Sequence, residues 1–434
     1  MVALKFFWHC SGTLIGTTHE LRVAPLKTIM SSSPIRYSVT GVVASERITP
    51  LLPSEWNNVT SSPDIVPDFL WENAPRRETK EYRDTVKVYS HLPNGTNVLD
   101  SKWALGRLFS TAKEENNSLL ATLETHCFRG VDGFQAFANK VKLLGCVPPS
   151  IPSKITTADY PDIEKGLDLS VAPDVDMAPP LWVVKDAMAN GAGGIWVVGP
   201  ETASIFASPD STPLHPDHKY VAQKYVWPPV LFGGRKCHVR VYGLLTSDGR
   251  AFIHHRAFLH VANDPFTTSD AVETGSFQDS IHITNCCANS HDDTKFAGEI
   301  LADFALTERT ERDGQQVIPL AAFFPSIHQC MSFLAKKAFP FLQGGHANHG
   351  FEYMGIDFML SYNQAKEPVA HILEVNAPPS QDSATGLPHA ENLHNEVIRD
   401  LITLWVLPHV TKSPEIPGGW RCVYTSPDMR NDGD

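Results

Sequence analysis

From residue 181 onward the chain alternates short apolar β segments with turn residues, and this pattern restricts the fold more than any other feature. Residues 181–185 (Leu-Trp-Val-Val-Lys), 195–198 (Ile-Trp-Val-Val) and 220–226 read as strands. Residues 240–245 and 250–259 flank Ser247-Asp248-Gly249, a hairpin signature. Residues 354–360 and 371–375 predict a final strand pair, while 326–338 and 389–406 predict helices. Strands mixed with helices in this way demand an α/β architecture of layered sheet and helix. Upstream, apolar residues at helical spacing predict helices over 100–112 and 133–144, and residues 41–87 read as short strands and loops. Seven prolines between Val147 and Pro180 mark a long loop or insertion and an internal boundary.

A chain of 434 residues with 42% hydrophobic side chains can build two or three domains and is not disordered throughout. Its 36 basic and 48 acidic side chains leave a net charge of −12, which argues against a general nucleic-acid binder, since a phosphate backbone needs a positive footprint. No run of about 18 uncharged apolar residues occurs, so no membrane span is expected. The eight cysteines include no C-x-x-C pair and read as free thiols of a reducing compartment. Residues 1–41 carry one acid, Glu20, against Lys5, Arg22, Lys27 and Arg36. A flexible start to a cytoplasmic chain is expected there, with an organelle-targeting segment as the alternative.

Three constellations carry chemistry. Lys185 ends a strand and is followed by the small-residue loop Asn190-Gly191-Ala192-Gly193-Gly194 and a return strand, an arrangement that suits a flap over phosphates and is equally a plain hairpin turn. Glu374 and Asn376, two apart on a strand, share a face, and a hairpin centred near residues 364–367 puts Asp357 opposite Glu374, with Phe358, Leu373 and Val375 pointing away. Two carboxylates and an amide suit Mg²⁺, which takes oxygen ligands and bridges to substrate phosphates; the alternative is two strand-end acids solvated separately. Arg235, Lys236, Arg240 and Arg256 form a basic set, with Arg240 and Arg256 on adjacent strands, which suits either phosphoryl stabilisation or structural ion pairing. The paired histidines complete no tetrahedral zinc set.

Together these motifs resemble the tubulin–tyrosine ligase family of ATP-grasp enzymes. The resemblance rests on Gln223-Lys224-Tyr225-Val226, the strand around Gly234-Arg235-Lys236-Cys237-His238-Val239-Arg240, and His282-Ile283-Thr284-Asn285. It also rests on residues 351–360, on Leu373-Glu374-Val375-Asn376-Ala377-Pro378-Pro379-Ser380 and on residues 182–198, and it extends back to Lys102 and Arg107. It implies an ATP-grasp fold with a flexible or targeting extension (1–40), an N-terminal domain (41–125), a central lobe carrying the Lys185 flap (126–226) and a C-terminal lobe carrying the metal strands (227–434). It implies ATP-dependent amide-bond formation through an acyl phosphate, joining an amino acid, tyrosine above all, to a carboxylate of the tubulin tail. Other acceptors, or a pseudo-ligase that binds nucleotide and tubulin, are the alternatives.

In that reading Lys185, Gly191, Gly193, Gln223, Lys224, Tyr225, Val226, Lys236, His238 and Asn285 hold ATP. Asp357, Glu374 and Asn376 hold Mg²⁺, and Arg240 and Arg256 steady the acyl phosphate. One position departs from the family: His238 stands where Asp is usual. An imidazole titrating near neutrality among cations is expected to repel them less as pH rises.

Overall fold

Period-two alternation along one long strand sorts its side chains onto two faces, and the larger sheet is built around it. On Arg235–Thr246 the residues Cys237, Val239, Val241 and Leu245 enter one core, while Tyr242 and Leu244 enter another. The computed structural model describes residues 34–62, 64–73, 85–110, 123–144, 167–168, 180–189, 193–232, 235–266, 279–284, 320–342, 349–379 and 388–427. In chain order their strands are β1 (Arg36–Val39), β2 (Asn57–Asn58), β3 (Phe69–Trp71), β4 (Val88–Tyr89), β5 (Thr125–Arg129), β6 (Leu167–Asp168), β7 (Trp182–Asp186) and β8 (Ile195–Val198). They continue with β9 (Lys219–Lys224), β10 (Leu231–Phe232), β11 (Arg235–Thr246), β12 (Arg250–Pro265), β13 (His349–Tyr362), β14 (Pro368–Asn376) and β15 (Trp420–Thr425).

Two sheets result. The larger runs β15-β12-β11-β13-β4-β3-β1-β2, with β14 also on β13 and β10 and β6 beyond β11; the smaller runs β5-β9-β7-β8. The mixed α/β class expected from the sequence holds. The N-terminal strands are parallel to one another and continue the larger sheet, with β4 pairing β13 through Val88 and His349. All these elements fall within one compact unit, Ile35–Asp434.

Helices cover the sheets where the apolar stripes require it. These are α1 (Val42–Ile48), α2 (Gly95–Leu99), α3 (Lys102–Ser110), α4 (Gly130–Lys140), α5 (Pro200–Ala207), α6 (Asp279–His282), α7 (Phe324–Leu342) and α8 (Pro388–Leu401). On one face of the larger sheet α7 buries Ile327, Met331, Leu334 and Ala338 against Val239, Ile356 and Phe358. On the other, α8 and the π-helical turn Ile402–Val406 that extends it bury Val397, Leu401 and Trp405 against Tyr242, Phe258 and Tyr353. The smaller sheet packs Phe128, Trp182 and Tyr220 under Phe134 and Phe137 of α4. Among the described residues no helix is long and apolar enough to cross a membrane.

The expected elements are present with different bounds. β11 begins five residues before residue 240 because Lys236 and His238 are buried polar groups, which a hydrophobic pattern does not register. Helix α5 escapes the sequence pattern because Pro200 opens it directly after a strand, in the first turn, where a missing N–H costs nothing.

A buried polar network fastens the N-terminal segment to β13. Glu352, fully buried, accepts from Leu92 N (3.0 Å) and pairs with His91 Nδ1 (3.0 Å), while His91 Nε2 meets Glu72 O at 2.9 Å. Burial opposes the His91 charge, but the Glu352 hydrogen bond and charge outweigh it and raise the imidazole pKa above its ordinary value. Gly95 leaves room for this carboxylate, since a Cβ there would lie 1.8 Å from Glu352 Oε2. Gly95→Ala should therefore displace Glu352, strand the buried His91 and cost about 3–5 kcal/mol. Urea unfolding checks this through the midpoint at unchanged slope; a loss below about 0.5 kcal/mol, the range of an indifferent surface change, would show that the network holds nothing in place.

Candidate active site

The registers of β11, β13 and β14 place one charged residue from each strand in a row. Arg240 pairs with Asp357, and Asp357 with Glu374, so all three share a face of the sheet. Arg240 clamps Asp357 with two hydrogen bonds, Nε to Oδ1 at 2.7 Å and Nη2 to Oδ2 at 2.8 Å. Burial alone would raise the Asp357 carboxyl, but the Arg240 charge and its hydrogen bonds hold it below the usual carboxylate range. Gly355 makes space for the clamp, because a Cβ there would sit 3.2 Å from Arg240 Cδ. Asn376 pairs with Gly355 on the Glu374 face, and among the described residues its buried Nδ2 has no hydrogen-bond partner.

One side chain departs from the expected alternation. The register slips between Asp357, which faces Glu374, and Phe358, which faces Ile372, leaving Leu373 as the extra residue of a bulge. Phe358 and Val375 enter the core as expected, whereas Leu373 lines the cavity.

That cavity has walls from both sheets. The smaller sheet supplies Val183, Lys185, Ile195, Val197 and Gln223. The larger supplies Lys236, His238, Asp357, Met359 and Glu374. Lys224, Tyr225 and Val226 close one side, and His282, Ile283 and Thr284 another. Val183, Ile195, Val197 and Met359 make an apolar strip that suits a flat aromatic group. Lys185 is buried and donates from Nζ to Leu373 O (3.0 Å); burial depresses its pKa, opposed by the Glu374 charge. Lys236 donates from Nζ to His282 O (2.9 Å) and lies 4.1 Å over the Tyr225 ring. Burial, and then the Lys185 charge, lower the Lys236 ammonium to about 7.

His238 behaves differently from the sequence expectation. Its Nδ1 bonds Thr284 Oγ1 and its ring stacks on His260 with centroids 4.5 Å apart. Burial, then Arg240, push its pKa down to about 3, so it is neutral throughout the physiological range. Raising the pH across neutrality therefore relieves no repulsion at this position. Sequence shows the residue type but not the desolvation that decides its charge.

The basic set is dispersed. Lys236 lines the cavity, Arg240 stands behind Asp357, and Arg256 pairs with Glu396 of α8 (Nε to Oε1 and Nη2 to Oε2, each 3.2 Å) and is not part of the cavity wall. Gly193 lies in the turn after β7, where Gly194 takes φ 74° and its carbonyl accepts from Asp186 N at 2.7 Å. Gly191 and Asn285 lie outside the described residues.

Sequence reasoning did not single out His260, Met359 or Asp100. Met359 carried a usable signal, two residues from Asp357 on the same predicted face. Asp100 lines a second, smaller cavity that shares Lys185, Gln223, Leu373 and Glu374 with the first.

The donor set fits a hard cation. Among the described residues no group of three or more His, Cys, Asp or Glu has metal-binding geometry. Asp357, Glu374 and Asn376 instead offer two carboxylates and an orphaned amide, and Mg²⁺ characteristically takes one or two carboxylates and completes its shell with water and phosphate oxygens.

The family model described as "Tubulin-tyrosine ligase family" matches residues 159–414. The chain is 30% identical over 175 residues to "Probable tubulin polyglutamylase ttll-9" of Caenorhabditis elegans, covering 37% of each chain. It is 29% identical over 119 residues to "Probable alpha-tubulin polyglutamylase Ttll1" of Tetrahymena thermophila, covering 26% of this chain and 28% of that one. The chain thus spans between about a quarter and two fifths of the length of these curated relatives.

The clamp separates the two carboxylates by substitution. Asp357→Asn leaves Arg240 charged and buried without its partner and should cost about 3–5 kcal/mol. Glu374→Gln leaves the clamp intact and should alter stability by about 1 kcal/mol or less. Thermal unfolding of both variants checks this; equal losses would show that the Arg240–Asp357 pair carries no special structural weight.

Proposed function

The chain belongs to the tubulin–tyrosine ligase family, and from that premise we propose that it is an ATP-dependent ligase forming an amide bond between a free amino acid and a carboxylate of tubulin. The observation that carries this reading is the overlap of the family match, residues 159–414, with a cavity lined by Lys185, Lys236, Asp357 and Glu374. Tubulin as acceptor is supported by the names of both relatives. Tyrosine is the donor that the family resemblance implies. Glutamate is the second reading, favoured by those same names.

In this reading the apolar strip and residues 223–226 receive the base, while Lys185 and Lys236 face the phosphates. Asp357, Glu374 and Asn376 would hold Mg²⁺, which supplies charge neutralisation on phosphate oxygens when bound. Arg240 acts as a positioning residue: its two hydrogen bonds keep Asp357 ionised and fix both carboxylate oxygens. Arg256 is assigned no role in the reaction, since Glu396 engages its guanidinium. The protein forms no covalent bond to substrate, so its contribution is orientation, electrostatic stabilisation and exclusion of water.

The test is a ligation screen with ATP and Mg²⁺, pairing each standard amino acid with α-tubulin tail peptides and reading intact mass. The expected result is a gain of one tyrosine, or of glutamate on the second reading, with Glu374→Gln binding ATP but losing turnover. No mass gain with any amino acid, together with no thermal stabilisation by ATP·Mg²⁺, would overturn the ligase reading.

A further inference from the structure

Lys185 reaches the cavity from the end of β7, and the residue after it is not part of the cavity wall. Alternation along β7 puts Val183 and Lys185 on the cavity side and sends Asp186 to the face that Trp182 and Val184 bury under α4. The Asp186 side chain is buried there with both carboxylate oxygens engaged. Oδ1 accepts from Met188 N at 2.8 Å, which closes the turn after the strand, and Oδ2 accepts from His218 Nδ1 at 2.7 Å. His218 is itself held in place. Its N–H donates to His215 O (3.2 Å), its carbonyl accepts from Gly130 N at the start of α4 (3.2 Å), and its ring centroid lies 4.3 Å from that of His215. Two further bonds fasten the turn: Ala187 N donates to Lys219 O of β9 (2.8 Å), and Ala189 O accepts from Lys102 Nζ of α3 (3.0 Å). Residues 186–189 are thus tied to β9, to α3 and to the segment leading into β9, and Asp186 supplies the tie to His218.

We propose that Asp186 is a positioning residue for the nucleotide: with His218 it holds the turn after β7, and through that turn it keeps Lys185 aimed at the phosphates. The proposal rests on the reading of the larger cavity as the ATP site. Asp186 and Lys185 are consecutive residues on opposite faces of one strand, so a rotation of the strand end that releases Asp186 also swings Lys185. Lys185 Nζ spans to Leu373 O on the larger sheet at 3.0 Å, and a displaced strand end changes that reach. Holding the lysine in place before the ligand arrives strengthens binding by removing the cost of ordering it.

Calorimetric titration of ATP·Mg²⁺ into wild type, Asp186→Ala and Asp186→Asn tests this, with affinity and stoichiometry read separately. Asp186→Ala should weaken binding about tenfold, as loss of a charge-assisted hydrogen bond implies. Asp186→Asn keeps an oxygen for Met188 N and a polar contact to His218, and should bind within about threefold of wild type. A merely structural role would leave part of the protein unfolded, lowering the stoichiometry at unchanged affinity, and that result would overturn the proposal while leaving the nucleotide reading standing. An Asp186→Asn variant as weak as Asp186→Ala would overturn it too, since the turn bonds that Asn keeps would then not be what matters. Should Asp186→Ala not fold, His218→Ala carries the same test from a half-buried side chain, with a loss of about threefold expected and an unchanged affinity overturning the proposal. A wild-type chain that does not bind ATP·Mg²⁺ would remove the nucleotide reading and this role with it.

Discussion

The bidentate contact between Arg240 and Asp357 is the constraint on which the site depends. Two opposite charges on adjacent central strands are tolerable in a buried setting only when they face each other in register and satisfy each other's hydrogen bonds. A slip of one residue between β11 and β13 would turn Asp357 into the core that holds Ile356 and Phe358. The pair therefore penalises other registers, and in the correct one it delivers Glu374 and Asn376 beside it. Gly355 serves the same geometry, as it lies under the Arg240 side chain where any Cβ would crowd it.

β13 carries a second buried carboxylate on its other face. Glu352 shares a face with Met354 and Ile356, and Asp357 points the opposite way, so one strand anchors two polar networks. The Asp357 network builds the larger cavity. The Glu352 network ties residues 91 and 92, and through α2 the start of α3, to the same strand. Asp100 and Lys102 consequently line a smaller cavity together with Glu374. Stability and site geometry are coupled here because both are written on one strand.

The parts of this arrangement readable from sequence are those that local patterning determines. The turn near residues 363–367, where Asn363 N bonds Glu367 O and Lys366 takes a positive φ, fixes the pairing of Asp357 with Glu374. The Leu373 bulge was not readable, because an inserted residue leaves no mark on an apolar strand. The Arg256–Glu396 pair spans 140 residues, and no local pattern reports a partner at that distance. The N-terminal strands were legible as short strands, but their continuation of the larger sheet depends on β4 meeting β13, a contact between residues far apart in sequence. His238 shows the same limit in electrostatic form, since its neutrality follows from burial and from Arg240 rather than from its own identity.

The central claim is that the cavity between β7–β9 and β11–β14 receives ATP·Mg²⁺ with Lys185 against its phosphates. Calorimetric titration of ATP·Mg²⁺ into wild type and Lys185→Met tests it most directly, because methionine keeps the length and apolar stem of the side chain while removing its charge. Affinity should fall about tenfold or more, as expected for a lost charge-assisted phosphate contact, while the unliganded protein unfolds close to the wild-type temperature. Equal affinities in the two proteins would contradict the claim and place the nucleotide, if it binds at all, elsewhere.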